Sequence, residues 1–125
     1  MNLLLDTHVV LWWYTNPKLL NDPVREAIED AENEIFISAV VLWECSIKGS
    51  VGKLTLPDVV FNRAAIDFSE LPITAKHAQR ISHLPAIHND PFDRLLIAQA
   101  QVEHLTLATR DKNILRYPDV KLLQA

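Results

Sequence analysis

The sequence predicts an α/β fold in which a central, mostly parallel, twisted sheet is covered by helices on both faces. Short apolar runs alternate with helical patterns along the chain, which is typical of β-α-β units. The first run, Leu3–Leu5, is continuously apolar, as expected for a strand buried on both faces. With 125 residues, 49% of them hydrophobic and 22% charged, we expect one globular domain over residues 1–125.

The elements follow in chain order from apolar runs, capping residues and prolines. We expect strands at residues 3–5, 35–37, 70–72, 105–108 and 120–123. We expect helices at residues 7–14, 23–29, 39–48, 57–68, 75–84, 91–103 and 111–115. The candidate N-caps of these helices include Asn21 or Asp22, Ser38, Thr74 and Asp90.

Composition excludes several kinds of functional site. Only two glycines occur, so glycine-rich phosphate loops and the glycine-flanked nucleophile elbow are absent. The single cysteine, Cys45, excludes an internal disulfide and a cysteine-rich zinc site, and it fits a reducing compartment. The first residues lack the basic region of a signal peptide, and the longest apolar run is too short to span a bilayer. We therefore expect a cytoplasmic protein without a membrane segment.

Five acidic residues are expected near one edge of the sheet: Asp6, Glu44, Asp90, Asp93 and Asp111. Two follow predicted strands, two open the helix at 91–103, and one lies about two turns into the helix after the second strand. The carboxyl ends of parallel strands meet at one edge, where ligands bind in such folds. Crowded carboxylates repel each other unless a cation binds, and Mg²⁺ prefers oxygen ligands. The sequence therefore predicts a divalent-metal site.

Each of these acids also has a structural interpretation. Taken singly, Asp6, Asp90 and Asp111 are favoured as helix N-caps, and Asp93 stands where a capping box would place it. Glu44 differs because it shares a helical stripe with apolar residues 40 and 47, so we expect it to face the apolar side. Its structural interpretation is an ion pair with the lysine four residues further on, which stabilises a helix only weakly.

The order and context of the acids resemble a known family. The resemblance lies in LLLDTH at 3–8, ISAVVLWE at 37–44, HNDPFDRLLIAQA at 88–100 and LATRD at 107–111, with Lys48 and GKL at 52–54 between them. These segments are similar to the successive signatures of PIN-domain proteins. More closely, they resemble the toxin ribonucleases of VapBC-type toxin–antitoxin pairs. The similarity covers nearly the whole chain, and the segment DPFDRLLIA is quite specific.

The resemblance implies a three-layer α/β/α PIN-like fold and a metal-dependent endoribonuclease. Asp6, Glu44, Asp93 and Asp111 would surround Mg²⁺ or Mn²⁺, with Asp90 as a further acid. Our hypothesis is that Asp6 and Asp93 bind the primary ion directly and the other two bind directly or through water. In-line attack would leave a 5′-phosphate and a 3′-hydroxyl. The resemblance also implies a homodimer. It further implies a cognate antitoxin whose C-terminal segment fills the active-site groove. Operator DNA would be bound only through this antitoxin.

Substrate contacts are predicted from residues next to the acids. Thr7 and Thr109 have hydroxyls that can bond a ligand carboxylate or a phosphate, or cap a helix instead. Arg94 and Arg110 are candidate phosphate contacts, with ordinary surface charge as an equal alternative. The further basic candidates are Lys48, Lys53, Lys112 and Arg116. The net charge of −4 does not argue against RNA, because the acids outside a metal site balance the 12 Lys+Arg.

Other side chains near the predicted site have less specific interpretations. For His8 and His88 we expect a helix-start or hydrogen-bonding role rather than catalysis. The aromatic run at residues 12–14 is suited to stacking bases, but we favour packing in the core and against a partner.

Two alternative functions remain open. A receiver-like phosphoacceptor domain also combines a parallel sheet with Mg²⁺-binding acids, but here Asp6 stands alone after its strand and Arg110 and Asp111 occupy the late turn. A catalytically silent PIN-like protein that only binds its antitoxin is the second alternative, and the complete set of acids argues against it.

Overall fold

The computed structural model describes residues 1–50 and 58–125 of the chain. The described elements are β1 (Leu3–Leu5), α1 (Thr7–Thr15), α2 (Asp22–Glu29), β2 (Ile35–Ser38), α3 (Ala39–Ser50), α4 (Asp58–Asp67), β3 (Ser69–Leu71), α5 (Ala75–Ile81), α6 (Pro91–Glu103), β4 (Thr106–Thr109) and β5 (Leu122–Gln124). Short 3₁₀ turns occur at Pro17–Leu19 and Ile114–Arg116. No helix in the described ranges combines the length and apolar character that crossing a membrane requires.

The five strands form one parallel sheet in the order β3-β2-β1-β4-β5. The prediction of a mostly parallel sheet is therefore confirmed. The strand order reverses direction between β1 and β4, and open α/β sheets bind ligands beyond the carboxyl ends of the strands at such a point. Flavodoxin-like and CheY-like receiver sheets have the order 2-1-3-4-5 instead. The receiver-like alternative is therefore wrong.

Helices pack on both faces of the sheet, which makes the three layers that were predicted. Alternate residues of β1 separate the two cores: Leu3 and Leu5 pack in one cluster, whereas Leu4 packs in the other. The first cluster includes residues of α1, α2 and α4, and the second is dominated by α6. All three leucines are fully buried, and each such burial stabilises the fold by about 1.5–3 kcal/mol.

A buried polar network joins three elements behind the carboxyl edge. Ser38, the last residue of β2, donates its hydroxyl to Gln99 Oε1 of α6 at 2.5 Å. The same hydroxyl oxygen accepts from Val40 N at 3.0 Å, so Ser38 caps α3 as predicted. Gln99 Nε2 donates to the Pro72 carbonyl, just after β3, at 3.3 Å. The start of α3 is thereby fixed relative to α6.

Element boundaries differ from the prediction at a few places. The predicted helix 57–68 begins at Asp58 in the described chain, and residue 57 lies outside the described residues. Thr74 caps α5 as predicted, but the helix ends at Ile81 rather than residue 84, because Pro85 disfavours helical backbone before it. The predicted helix at 111–115 is only a 3₁₀ turn at Ile114–Arg116.

Candidate active site

One open pocket of about 340 Å³ lies at the carboxyl edge of the sheet, where the strand order reverses. It gathers all five predicted acids from four separate segments of the chain. The residues that line it are Asp6, His8, Trp12, Glu44, Lys48, Asp90, Asp93, Arg110 and Asp111. The predicted convergence of the five acids at one edge is therefore found in the structure.

Asp6 lies at the point where the strand order reverses, because β1 ends directly before it. Its backbone N–H donates to the Ala108 carbonyl of β4 at 3.0 Å, which ties it to the neighbouring strand. Asp6 also caps α1, since its Oδ1 accepts from Thr7 N at 2.7 Å. Its Oδ2 accepts the Thr109 hydroxyl at 2.7 Å. The carboxylate is only 7% exposed, so it is both a helix cap and a buried wall of the pocket.

Glu44 reaches the pocket from the inner side of α3. It is 6% exposed, and both of its oxygens have a donor: the Thr7 hydroxyl at 2.7 Å and Lys48 Nζ at 2.6 Å. The predicted ion pair with Lys48 and the predicted inward orientation are therefore both present. The predicted stripe is wrong at Ile47, which is 45% exposed, because α3 buries Val40 and its neighbours 41 and 45 instead.

The N-terminus of α6 supplies two acids with different partners. Asp90 is the N-cap, and its Oδ1 accepts from Phe92 N at 2.9 Å and from Asp93 N at 3.0 Å. Asp93 does not complete the expected capping box. Its Oδ2 instead bonds His88 Nε2 at 3.0 Å, and its side chain is 14% exposed. The capping interpretation therefore holds for Asp90 and is wrong for Asp93.

Asp111 lies on the β4 side of the point where the strand order reverses, two residues after β4 ends. Its Oδ1 accepts from Asn113 N at 2.8 Å and from Ile114 N at 3.1 Å, so it caps the 3₁₀ turn. Its own backbone N–H donates to the Thr109 hydroxyl oxygen at 3.0 Å. Thr109 therefore connects Asp111 with Asp6 through one buried hydroxyl.

Burial and mutual repulsion disfavour the charged forms of two pocket acids. Burial raises the pKa of Asp6 above its ordinary value, although hydrogen bonds from Thr109 and Thr7 oppose the rise. Burial raises the pKa of Asp93 to about 7, with the negative charges of Asp90 and other pocket acids adding to the effect and the His88 bond opposing it. Carboxylates with raised pKa values in a cleft are typical of functional sites.

The donor set fits a hard divalent cation. Five carboxylates face one pocket, and the second oxygens of Asp90, Asp93 and Asp111 have no hydrogen-bond partner among the described residues. Each carboxylate oxygen also has two lone pairs, so the capped acids keep acceptor capacity. In the described ranges, no three His, Cys, Asp or Glu side chains stand close enough together to hold an ion.

Two cations and an aromatic ring border the acids. The hydrogen bond to Glu44 raises the pKa of Lys48, which keeps this lysine charged. Arg110 lies over the ring of Trp12, with 4.5 Å between the guanidinium carbon and the ring centre. Its guanidinium also donates to the carbonyls of Ala125, at 2.6 Å, and of Leu19. Arg110 is thus a pocket residue that also holds Ala125 in place.

The other predicted substrate contacts have different positions. The hydroxyls of Thr7 and Thr109 hold Glu44 and Asp6, which is the carboxylate-bonding role among the predicted alternatives. Arg94 does not line the pocket in the described part of the chain. Its guanidinium donates to the Pro85 carbonyl at 2.8 Å and to other groups behind Asp93. Lys53 lies outside the described residues.

A second groove of about 280 Å³ lies beside α4 and the edge strand β3. It is mostly apolar and includes Leu42, Phe61 and Phe68. Among its described lining residues, Glu70 is the one ionisable side chain. Because this groove has no cluster of acids or bases, the acidic pocket is the candidate active site.

Comparisons with known proteins agree with the fold. The model of the PIN domain family matches residues 3–120. Ribonuclease VapC22 of Mycobacterium tuberculosis (strain ATCC 25618 / H37Rv) is 29% identical over 116 residues, which cover 90% of this chain and 88% of that protein.

Solved structures share the fold along the whole chain. VapBC2 from Rickettsia felis, bound to a promoter DNA fragment, superposes with a TM-score of 0.72 at 20% identity and covers 100% of this chain and 99% of its own. DNA-bound VapBC from Salmonella typhimurium gives a TM-score of 0.73 at 18% identity, with 99% and 98% covered. Since the family model spans nearly all of the sequence and the fold agrees with it, the chain belongs to the PIN-domain family.

Proposed function

We propose that the chain is the toxin of a type II toxin–antitoxin pair, a metal-dependent endoribonuclease that hydrolyses RNA phosphodiester bonds. The observation that carries the proposal is the gathering of five carboxylates from four chain segments around one open pocket. Membership in the PIN family and the similarity to Ribonuclease VapC22 support it. We take residues 1–125 as a single PIN domain that acts in the cytoplasm.

We propose Asp6, Glu44, Asp93 and Asp111 as the ligands of Mg²⁺ or Mn²⁺, with Asp90 as an additional acid. A bound divalent cation supplies a Lewis acid for the phosphodiester and lowers the pKa of a bound water. The all-oxygen donor set supports this choice, because hard cations prefer oxygen ligands.

The chain's own side chains prepare the pocket for a phosphate. The hydroxyls of Thr7 and Thr109 hold the carboxylates of Glu44 and Asp6 in place, which fixes two walls of the pocket. Arg110 borders the acids with a positive charge and is our candidate for contact with the RNA backbone. Lys48 has a similar position, whereas Arg94 acts on the pocket only from behind, through its bonds to neighbouring groups.

We further propose a homodimer and a cognate antitoxin that neutralises the toxin by covering this pocket. The solved structures with the same fold include VapBC complexes, which supports an antitoxin partner. The acidic pocket is complementary to a basic peptide segment, and complementary charge gives specificity and fast association. Operator DNA would then be bound only through the antitoxin.

Cleavage of single-stranded RNA by the purified protein tests the proposal. We expect cleavage with Mg²⁺ or Mn²⁺ and none with EDTA. Asp6→Asn should slow cleavage by at least about 100-fold, since changes behind metal ligands alone cost about 10–100-fold. The matched control is Asp119→Asn, because Asp119 is exposed and does not line the pocket. Equal rates for wild type and Asp6→Asn would reject the assigned site.

The catalytically silent alternative predicts a different result. A protein that only binds its antitoxin would cleave no RNA under any metal condition. It would also fail to arrest growth when it is expressed without the antitoxin. Growth arrest by the wild type, but not by Asp6→Asn, would exclude this alternative.

A further inference from the structure

A chain of hydrogen bonds stands behind Asp93 on the side away from the pocket. Arg94 Nη1 donates to the Tyr117 hydroxyl oxygen at 2.9 Å. Tyr117 Oη lies 2.8 Å from His88 Nδ1, and His88 Nε2 lies 3.0 Å from Asp93 Oδ2. None of Arg94, Tyr117 and His88 is among the described residues that line the pocket. This series of hydrogen bonds therefore contacts the proposed metal site only through the Asp93 carboxylate.

The two ends of this chain fix the direction of every hydrogen bond in it. Arginine has only donors, so the Tyr117 oxygen accepts from Arg94. Metal binding requires the ionised form of Asp93. In that form the carboxylate has only acceptors, so His88 Nε2–H must donate to Asp93. In neutral histidine the other nitrogen, Nδ1, then has no proton and accepts the Tyr117 hydroxyl proton. One tautomer of His88 satisfies both neighbours at once.

We infer that His88 is a positioning residue of the nuclease site: held in its Nε2–H tautomer by Tyr117 and Arg94, it orients the Asp93 carboxylate for metal binding. The inference rests on the proposed function, because it concerns a ligand of that site. It assigns His88 a specific hydrogen-bonding role, from residues far apart in the sequence. The bond occupies Asp93 Oδ2, while Oδ1 has no hydrogen-bond partner among the described residues and is available to a cation.

The surroundings of the chain are suited to holding His88 still. Tyr117 is 3% exposed, and its ring meets the His88 ring edge-on, with 5.5 Å between the ring centres. Arg94 also donates to the Pro85 carbonyl at 2.8 Å, which fixes the loop that carries His88. A histidine locked by packing and by two hydrogen bonds leaves the carboxylate little freedom to rotate. Such outer partners typically change metal affinity about 10–100-fold when they are removed.

Calorimetric titration with Mn²⁺ alone measures the role of His88 without RNA or catalysis. We expect His88→Phe, which keeps a ring but removes the donor, to weaken Mn²⁺ binding by about 10–100-fold. His88→Gln places an amide N–H where Nε2–H was, so it should recover most of the lost affinity. His83→Phe is the control, because His83 is exposed and does not line the pocket.

A second measurement tests the tautomer directly in the wild-type protein. Long-range ¹H–¹⁵N NMR of the histidine rings distinguishes a protonated from a bare ring nitrogen. We expect His88 to show a protonated Nε2 and a bare Nδ1 at pH 9, where Asp93 is ionised. A proton on Nδ1 with a bare Nε2 would reverse the direction of these hydrogen bonds and overturn the inference. This result does not depend on whether any variant folds.

The outcomes separate this inference from the proposed function. If Asp93→Asn loses Mn²⁺ binding and His88→Phe binds like the wild type, the metal site stands and the role of His88 is refuted. If Asp93→Asn itself binds Mn²⁺ like the wild type, the proposed metal site is refuted. Thermal unfolding of each variant in EDTA checks that the fold is intact. Loss of affinity in His88→Phe with recovery in His88→Gln supports the inference.

Discussion

Replacing Asp93 by Asn should stabilise the protein in EDTA while it destroys the proposed metal site. Burial and the neighbouring acids raise the pKa of Asp93 to about 7 from an ordinary value of 3.8. A folded-state pKa above the unfolded value means that the folded protein keeps a proton which the unfolded chain releases. The stability of the wild type should therefore fall as pH rises from about 4 to about 7.

The size of the effect follows from the pKa difference. About three pKa units correspond to at most ~4 kcal/mol above pH 7. We expect half of this value, ~2 kcal/mol, because the Asp93 side chain is still 14% exposed and water screens its charge. At ~4 °C per kcal/mol for a domain of this size, Asp93→Asn should raise Tm by about 8 °C at pH 8. Asparagine still accepts the His88 hydrogen bond through its side-chain oxygen.

Thermal and urea unfolding in EDTA at pH 5 and pH 8 measure this effect. The advantage of Asp93→Asn over the wild type should be larger at pH 8 than at pH 5. Asp119→Asn removes an exposed carboxylate and should show no such difference between the two pH values. A lower Tm for Asp93→Asn at pH 8, or identical pH dependence in the two proteins, would show that the crowded acids do not lower the stability of the fold.

Three further predictions concern other buried groups. Thr109→Val removes the hydroxyl that holds Asp6 and should weaken Mn²⁺ binding about tenfold by calorimetry, and unchanged affinity would argue against that role. Gln99→Leu leaves the buried Ser38 hydroxyl without its acceptor and should lower the free energy of unfolding in urea by about 1–3 kcal/mol. An unchanged free energy of unfolding would show that the hydrogen bond between Ser38 and Gln99 is dispensable. Burial raises the pKa of Cys45 to about 11, so iodoacetamide at pH 8 should alkylate this thiol only in denaturant. Rapid labelling of the folded protein would contradict this prediction.

The architecture could be predicted because the strands carry the simplest signal in the sequence. Leu3–Leu5 is a continuous apolar run and is fully buried in the centre of the sheet. Alternation with helical patterns requires crossover connections, and these make the strands parallel. The boundary of α5 was harder, because Thr74 marks the start clearly while the end depends on the turn before Pro85.

The face of α3 shows where periodicity is insufficient. Apolar residues occur around much of this helix, so a stripe through Val40, Glu44 and Ile47 fits the sequence as well as the observed one. The structure buries Val40 and Cys45 but exposes Ile47, because the sheet contacts only one side of the helix. Tertiary packing decided between faces that the sequence left nearly equivalent.

The acids could be predicted as a group because four of them follow a strand or open a helix, and the fifth, Glu44, lies in the helix directly after β2. The sequence presented capping and ligand binding as alternatives, yet Asp6, Asp90 and Asp111 cap with one part of the carboxylate and also face the pocket. The two roles are compatible because each carboxylate has two oxygens.

The partners behind Asp93 had no comparable signal in the sequence. His88 is five residues from Asp93, but Tyr117 is 29 residues beyond His88 and becomes its neighbour only through the fold. Arg94 was predicted to contact phosphate from its position beside the acids. Its guanidinium instead bonds Tyr117 and nearby carbonyls, since a helix places adjacent residues on different faces.

Calorimetric titration of the wild type with Mn²⁺ at neutral pH, beside Asp6→Asn and the Asp119→Asn control, tests the convergence of the acids most directly. We expect saturable binding by the wild type and the control. Binding should be weakened by about 100-fold or more in Asp6→Asn, because direct ligands matter more than outer partners. Absence of Mn²⁺ uptake by the wild type, or equal affinity in all three proteins, would contradict this expectation.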